Sequence, residues 1–141
     1  MNGFNLRILE SNSIFYEGLC DSLIVPTDDG MYGVLASHTN TVLAIKTGIL
    51  KYHIPNEEEF HLASVAEGML KIEDNEVLLL TDSAEHPEEI DAKRELAELK
   101  EAREIILQKK SKIEHQAAEL AIARALNRLK LKGYDTDDPL S

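Results

Sequence analysis

Three histidines are the first candidates for chemistry in this chain. His53 and His61 fall on neighbouring strand candidates where they can approach each other, and His38 offers a third nitrogen, a donor set of the kind zinc takes. Ordinary strand and surface histidines are the favoured reading of the same residues. Carboxylates are less informative, because residues 1–86 hold 14 Asp and Glu and chance alone brings acids together at that density. The lone Cys20 opens the run Cys20–Val25 and reads as a buried structural thiol. Stronger enzyme signatures are missing: there is no G-x-x-x-x-G-K-[ST] phosphate loop, no H-E-x-x-H and no C-x-x-C. The enzyme reading therefore rests on His38, His53 and His61 alone, as a metal-dependent small-molecule enzyme on a cupin-like sandwich.

The elements that must hold such residues change type at Pro87. Before it, Phe4, Leu6 and Ile8 alternate with Asn5 and Arg7, the period of a strand with one buried face. Short strand candidates follow at 14–18, 23–25, 33–35, 42–45, 49–54, 60–65, 69–72 and 77–81. Pro55-Asn56-Glu57-Glu58 and Glu73-Asp74-Asn75 supply turn chemistry between the last pairs. Many short strands at this spacing predict an antiparallel sandwich or flattened barrel over residues 1–86.

From Glu88 to Lys132 there is neither Gly nor Pro. Asp91 is placed to cap a helix whose apolar positions are Leu96, Leu99, Ile106 and Leu107. Ser111 with Glu114 three residues on is a capping box, so a second helix is expected from Ser111. Its inner stripe is Ala118, Ile122, Ala125, Leu126 and Leu129, with Ala117 and Ala121 small enough for close approach by a neighbour. Because no Gly or Pro stops the first helix, a hairpin and one rod of about 60 Å are both sterically open. Neither helix buries its stripe alone, so partner contacts can decide between the two forms. The expected organisation is a sandwich at 1–86, a two-helix unit at 87–132 and a disordered tail at 133–141.

Bulk properties narrow the class. The chain has 141 residues and a net charge of −11, which argues against nucleic acid, since phosphate binding needs a cationic surface. No apolar run approaches the ~18 residues of a membrane span, so membrane association must go through a partner. The first residues lack a signal or transit pattern, and the chain reads as bacterial and cytosolic. Charge also divides at Pro87: residues 1–86 carry 4 Lys and Arg, and residues 87–132 carry 11 against 9 acids.

The segment Asp28-Asp29-Gly30-Met31-Tyr32-Gly33 is expected to form a tight acidic turn with Met31 and Tyr32 at its tip. Phe15-Tyr16-Glu17-Gly18 precedes it, Lys46-Thr47-Gly48-Ile49-Leu50 follows, and Asp82-Ser83-Ala84-Glu85 leads into the helices. In that order and spacing the chain resembles the epsilon subunit of F-type ATP synthases over residues 4–132. The resemblance implies a ten-stranded β-sandwich that binds the gamma subunit and rests on the ring of c subunits. It also implies an α-helical antiparallel hairpin that folds down or extends beside gamma, where it inhibits ATP hydrolysis. On that reading the chain is a non-catalytic rotor subunit at the cytoplasmic face of the bacterial membrane, with Met31, Tyr32 and His38 facing the c-ring. Arg124, Arg128 and Lys130 would serve the inhibitory helix, whose basic half suits an acidic surface on the alpha/beta catalytic hexamer. Family members often have prolines flanking that histidine; here Ala36 and Asn40 stand instead.

A second resemblance concerns ATP as a regulatory ligand; no cofactor is required. Some bacterial epsilon subunits bind ATP through an Ile/Leu-Asp-x-x-Arg-Ala motif and two arginines one turn apart. Ile90, Asp91 and Arg94 match the motif, and Arg124 and Arg128 stand at the family distance. The resemblance makes Asp91 an acceptor from the adenine amino group and the arginines forked donors to phosphate. Glu95 stands where the family has Ala, and Glu101 where ATP-binding members often have Arg. The residues alone are equally an ordinary basic helix face. A free-standing adaptor with a coiled-coil arm is the remaining alternative.

Overall fold

Phe4, Leu6 and Ile8 point inward and Asn5 and Arg7 outward, the alternation that makes the first strand one wall of a core. The computed structural model describes residues 3–108 and 112–134. It divides into two units, the first ending at His86 and the second beginning at Pro87.

The first unit contains ten strands: β1 (Phe4–Glu10), β2 (Ser13–Cys20), β3 (Ser22–Thr27), β4 (Gly30–Leu35), β5 (Thr41–Ile45), β6 (Gly48–His53), β7 (His61–Val65), β8 (Gly68–Glu73), β9 (Glu76–Thr81) and β10 (Ala84–Glu85). They form two five-stranded sheets, sheet I in the order β2-β1-β9-β8-β5 and sheet II in the order β10-β7-β6-β3-β4. One core fills the space between them, built from Phe4, Leu6, Ile8, Leu23, Val25, Leu50, Tyr52, Leu70 and Leu79 among others. Cys20 is buried there, and burial pushes its thiol pKa up to about 11, as expected of an inert structural cysteine.

The pairing departs from the expected antiparallel scheme at one place: β1 and β9 run parallel, with Asn5 opposite Glu76 and Glu10 opposite Thr81. Strands so far apart in sequence leave no local signal of their mutual direction. Two glycines matter sterically. Gly30, at φ +113, turns β3 into β4 in a conformation that L side chains rarely adopt. Gly68 lies so close to the Leu80 carbonyl that a β-carbon there would collide with it.

The second unit starts with a 3₁₀ turn at Pro87–Glu89 and continues as α1 (Ala92–Leu107) and α2 (Lys112–Leu131). Asp91 caps α1, its side chain accepting from the backbone N–H groups of Lys93 and Arg94. Leu99, Ala125 and Leu129 form the buried seam, flanked by Ala92, Leu96, Ile122 and Leu126. The pairing of Glu95 with Arg128, and of Pro87 with Lys132, makes the helices antiparallel. Leu107, expected in the seam, is exposed at the last position of α1. Ala118 is buried, while Ala117 and Ala121 line an open groove with Glu98, Glu101 and Glu114. Ser111, from which the second helix and its capping box were expected, lies outside the described residues. Of the tail assigned to 133–141, Gly133 and Tyr134 instead finish α2. Gly133 adopts φ +91, and the Tyr134 N–H reaches back to the Leu129 carbonyl, a Schellman cap. Residues 135–141 lie outside the described residues.

Candidate functional site

The outer face of sheet I carries a feature that local sequence patterns do not show. Ile14 pairs with Leu9, Leu9 with Leu80, Leu80 with Met69, and Met69 with Ala44, so one apolar row crosses all five strands. Ile14 is 59% exposed, Met69 52% and Leu80 45%. The adjacent row, Glu17, Arg7, Leu78, Lys71 and Val42, is mixed and charged. An uninterrupted apolar band beside charge, on the side turned away from the core, is the form of a docking surface. Its members come from five separate strands, so register alone assembles them.

The loop from β4 to β5 is held by side chains. Asn75, in the two-residue turn between β8 and β9, accepts from the Ser37 N–H at 2.8 Å and donates to the Gly3 carbonyl at 2.8 Å. Asn40 accepts from the Asp74 N–H at 3.0 Å, so the residue standing in place of a proline anchors the loop to that turn. His38 donates from Nδ1 to the Thr39 carbonyl, and its Nε2 is hydrogen-bonded to the Tyr32 hydroxyl, 2.9 Å away. Met31 and Tyr32 are strand residues of β4, and the tip of the hairpin is Asp28-Asp29. Met31 is exposed; Tyr32 packs on the core. Gly30 is the turn glycine and Gly33 a strand residue, which moves both side chains off the tip.

The histidines do not converge. His53 sits between the Asp21 carboxylate and the Glu57 carbonyl, each 2.7 Å from a ring nitrogen, and the His61 Nε2 lies 2.8 Å from the Glu57 carboxylate. The two rings thus share a loop residue rather than a ligand, and His38 is committed to Tyr32. Among the described residues no three His, Cys, Asp or Glu are grouped to hold a metal.

On the helical unit, Ile90 is buried and Asp91 is the α1 cap. Arg94 is exposed and donates to Glu98 at 3.0 Å. Arg124 and Arg128 are half-buried one turn apart on α2, with Lys130 exposed. Arg128 reaches across to the Glu95 carboxylate at 3.4 Å. Glu95 is one of the two residues that depart from the nucleotide pattern, and its buried position is what sequence reading missed.

Comparison with known proteins follows the same division. A model of the family "ATP synthase, Delta/Epsilon chain, beta-sandwich domain" matches residues 3–87. The ATP synthase epsilon chain of Ruminiclostridium cellulolyticum is 39% identical over 129 residues, 92% of this chain and 95% of that one. The epsilon chain of Caldicellulosiruptor bescii is 34% identical over 131 residues, 93% and 94% of the two chains. Among solved structures, a chain in the Euglena gracilis mitochondrial ATP synthase assembly (OSCP/F1/c-ring, rotational state 1) superposes with a TM-score of 0.80 at 22% identity. That match covers 94% of this chain and 82% of the other, and it supports the fold.

Proposed function

The chain belongs to the ATP synthase delta/epsilon family as a non-catalytic subunit of the central stalk, and from that premise we propose how its two units divide the work. The sandwich binds the gamma subunit through the outer face of sheet I. The observation that carries this reading is the apolar row from Ile14 to Ala44, an unbroken surface spanning every strand of the sheet. Torque transmission needs a broad and rigid contact, and a row fixed by backbone pairing supplies one. The loop at 36–40 with His38, together with Met31 and Tyr32, faces the c-ring. Its hydrogen bonds to Asn75 and Asp74 stiffen it for that contact.

The helical unit is the regulatory part. Closed, it is the antiparallel hairpin; opened, α2 runs beside gamma and its basic residues Arg124, Arg128 and Lys130 meet acidic ground on the alpha/beta hexamer, restraining hydrolysis. The small seam of Leu99, Ala125 and Leu129 supports this reading, since so little buried surface holds the closed form only weakly. The subunit is peripheral, attached at the cytoplasmic face through the complex; among the described residues no helix is long and apolar enough to cross a membrane. Co-purification tests the first half: tagged chain should carry gamma with it, and the charged substitutions Met69→Glu and Leu80→Glu should lose it. Retention of gamma by both variants would remove the docking assignment.

A further inference from the structure

Glu95 is the one acidic side chain among the buried residues of α1 and α2. Its side chain is 8% exposed, and its carboxylate lies 3.4 Å from the guanidinium of Arg128, whose side chain is 19% exposed. A carboxylate withdrawn this far from water needs a counter-ion, and taking away either member of the pair removes compensation from a charge that is largely buried. Position reinforces the pair. Glu95 lies in the first turn of α1 and Arg128 in the last turn of α2, the ends at which the helix dipoles favour an anion and a cation respectively. Arg124 lies one turn before Arg128 on the same helix, and Lys132 Nζ donates to the Pro87 carbonyl at the same end of the hairpin. Toward the other end, the groove floored by Ala102, Ala117, Ala118 and Ala121 stays open.

We propose that the Glu95–Arg128 pair is the latch of the closed hairpin: a counter-ion built into α1 that holds α2 in register without any bound ligand. This rests on the reading that the hairpin opens and closes. Opening separates the two charges and returns both to water; closing restores the pair at a fixed register along both helices, which the alanine-rich seam alone does not specify. Leu99, one turn after Glu95, and Leu129, next to Arg128, then seat together.

The test is a spin-label distance across the hairpin of the full chain, with labels at the exposed positions Lys100 and Ala123; Cys20 is buried and takes no label. Packed helices hold these positions at about 10 Å plus the label arms, whereas a continuous helix separates them by about 35 Å. The wild-type chain should be mainly short. Glu95→Gln and Arg128→Gln should each move the population to long distances, and the apolar pair Glu95→Met/Arg128→Met should return it to short ones. In the reconstituted complex Glu95→Gln should lower ATP hydrolysis at least twofold, the opposite sign from removal of the whole helical unit. A seam variant, Leu129→Asp, calibrates opening. If Leu129→Asp lengthens the distance and Glu95→Gln does not, the latch is overturned and the movable hairpin stands. If neither lengthens it, the movable hairpin falls and the latch with it.

Discussion

His53 donates from Nδ1 to the Asp21 carboxylate at 2.7 Å while its Nε2 donates to the Glu57 carbonyl at 2.7 Å. Both partners only accept, so the ring satisfies them as the doubly protonated cation. Accordingly its pKa is raised above the ordinary 6.5, chiefly by the Asp21 hydrogen bond. A group with a raised folded pKa stabilises fully below its unfolded value and loses that contribution as pH rises through the folded value. The sandwich should therefore lose stability as pH climbs above about 6.5 and passes through the raised value of His53. Urea midpoints at pH 6 and pH 9 read this directly. In His53→Gln the pH 6 advantage should shrink; an unchanged slope would assign the dependence to other groups.

Removal of residues 88–141 leaves the strands intact, because every residue of the sandwich core lies before Pro87. The truncated chain should fold, bind gamma as the full chain does, and raise ATP hydrolysis by the complex. Binding by pull-down and turnover by coupled assay check the two halves, and unchanged turnover would count against the regulatory reading.

Gly68→Ala drives a β-carbon into the Leu80 carbonyl, at a point where β8 and β9 pair through the middle of sheet I. The expected cost is about 1–3 kcal/mol in the urea-derived stability of the sandwich. Gly33→Ala meets nothing within 4 Å and serves as the control, expected within about 0.5 kcal/mol of wild type.

Asp91→Ala removes the side chain that receives the Lys93 and Arg94 N–H groups. Loss of such a cap costs about 1 kcal/mol. Thermal melting followed by helical circular dichroism should show the helical transition shifted down, with the sandwich transition in place.

Nucleotide binding is tested separately. With Arg128 engaged by Glu95 and Arg94 by Glu98, isothermal titration with MgATP should show affinity no tighter than about millimolar, roughly 4 kcal/mol of binding. Micromolar binding by the wild-type chain would overturn this expectation.

Most of the sandwich was legible because half-buried strands write their period into the sequence, as Phe4, Leu6 and Ile8 do. The two-residue β10 was too short to show a period, and only the family resemblance supplied a tenth strand. The apolar row escaped for a different reason. Ile14, Leu9, Leu80, Met69 and Ala44 each stand beside inward-facing apolar residues of their own strand, such as Leu79 next to Leu80 and Ile45 next to Ala44, so nothing local marks them as an outer row; only the register of four strand pairs lines them up. Likewise Glu95 reads as a solvated helix former until α2 packs beside it, when the register of two helices turns it into a buried anion. Tyr32 was misplaced because two glycines looked like one turn, although only Gly30 takes the turn conformation.

The parallel pairing of β1 with β9 has a consequence for the protein's synthesis. Asn5 and Glu76, hydrogen-bonded side chain to side chain across that pair, are separated by 71 residues of chain. At roughly 5–20 residues per second, a ribosome takes several seconds to deliver the second after the first. Throughout that interval β2 can cover one edge of β1, while the other waits with its backbone N–H and C=O groups unclaimed. The nascent chain thus carries an open strand edge until almost the whole sandwich has been translated, and crowding among unfinished copies is the hazard that this topology builds in.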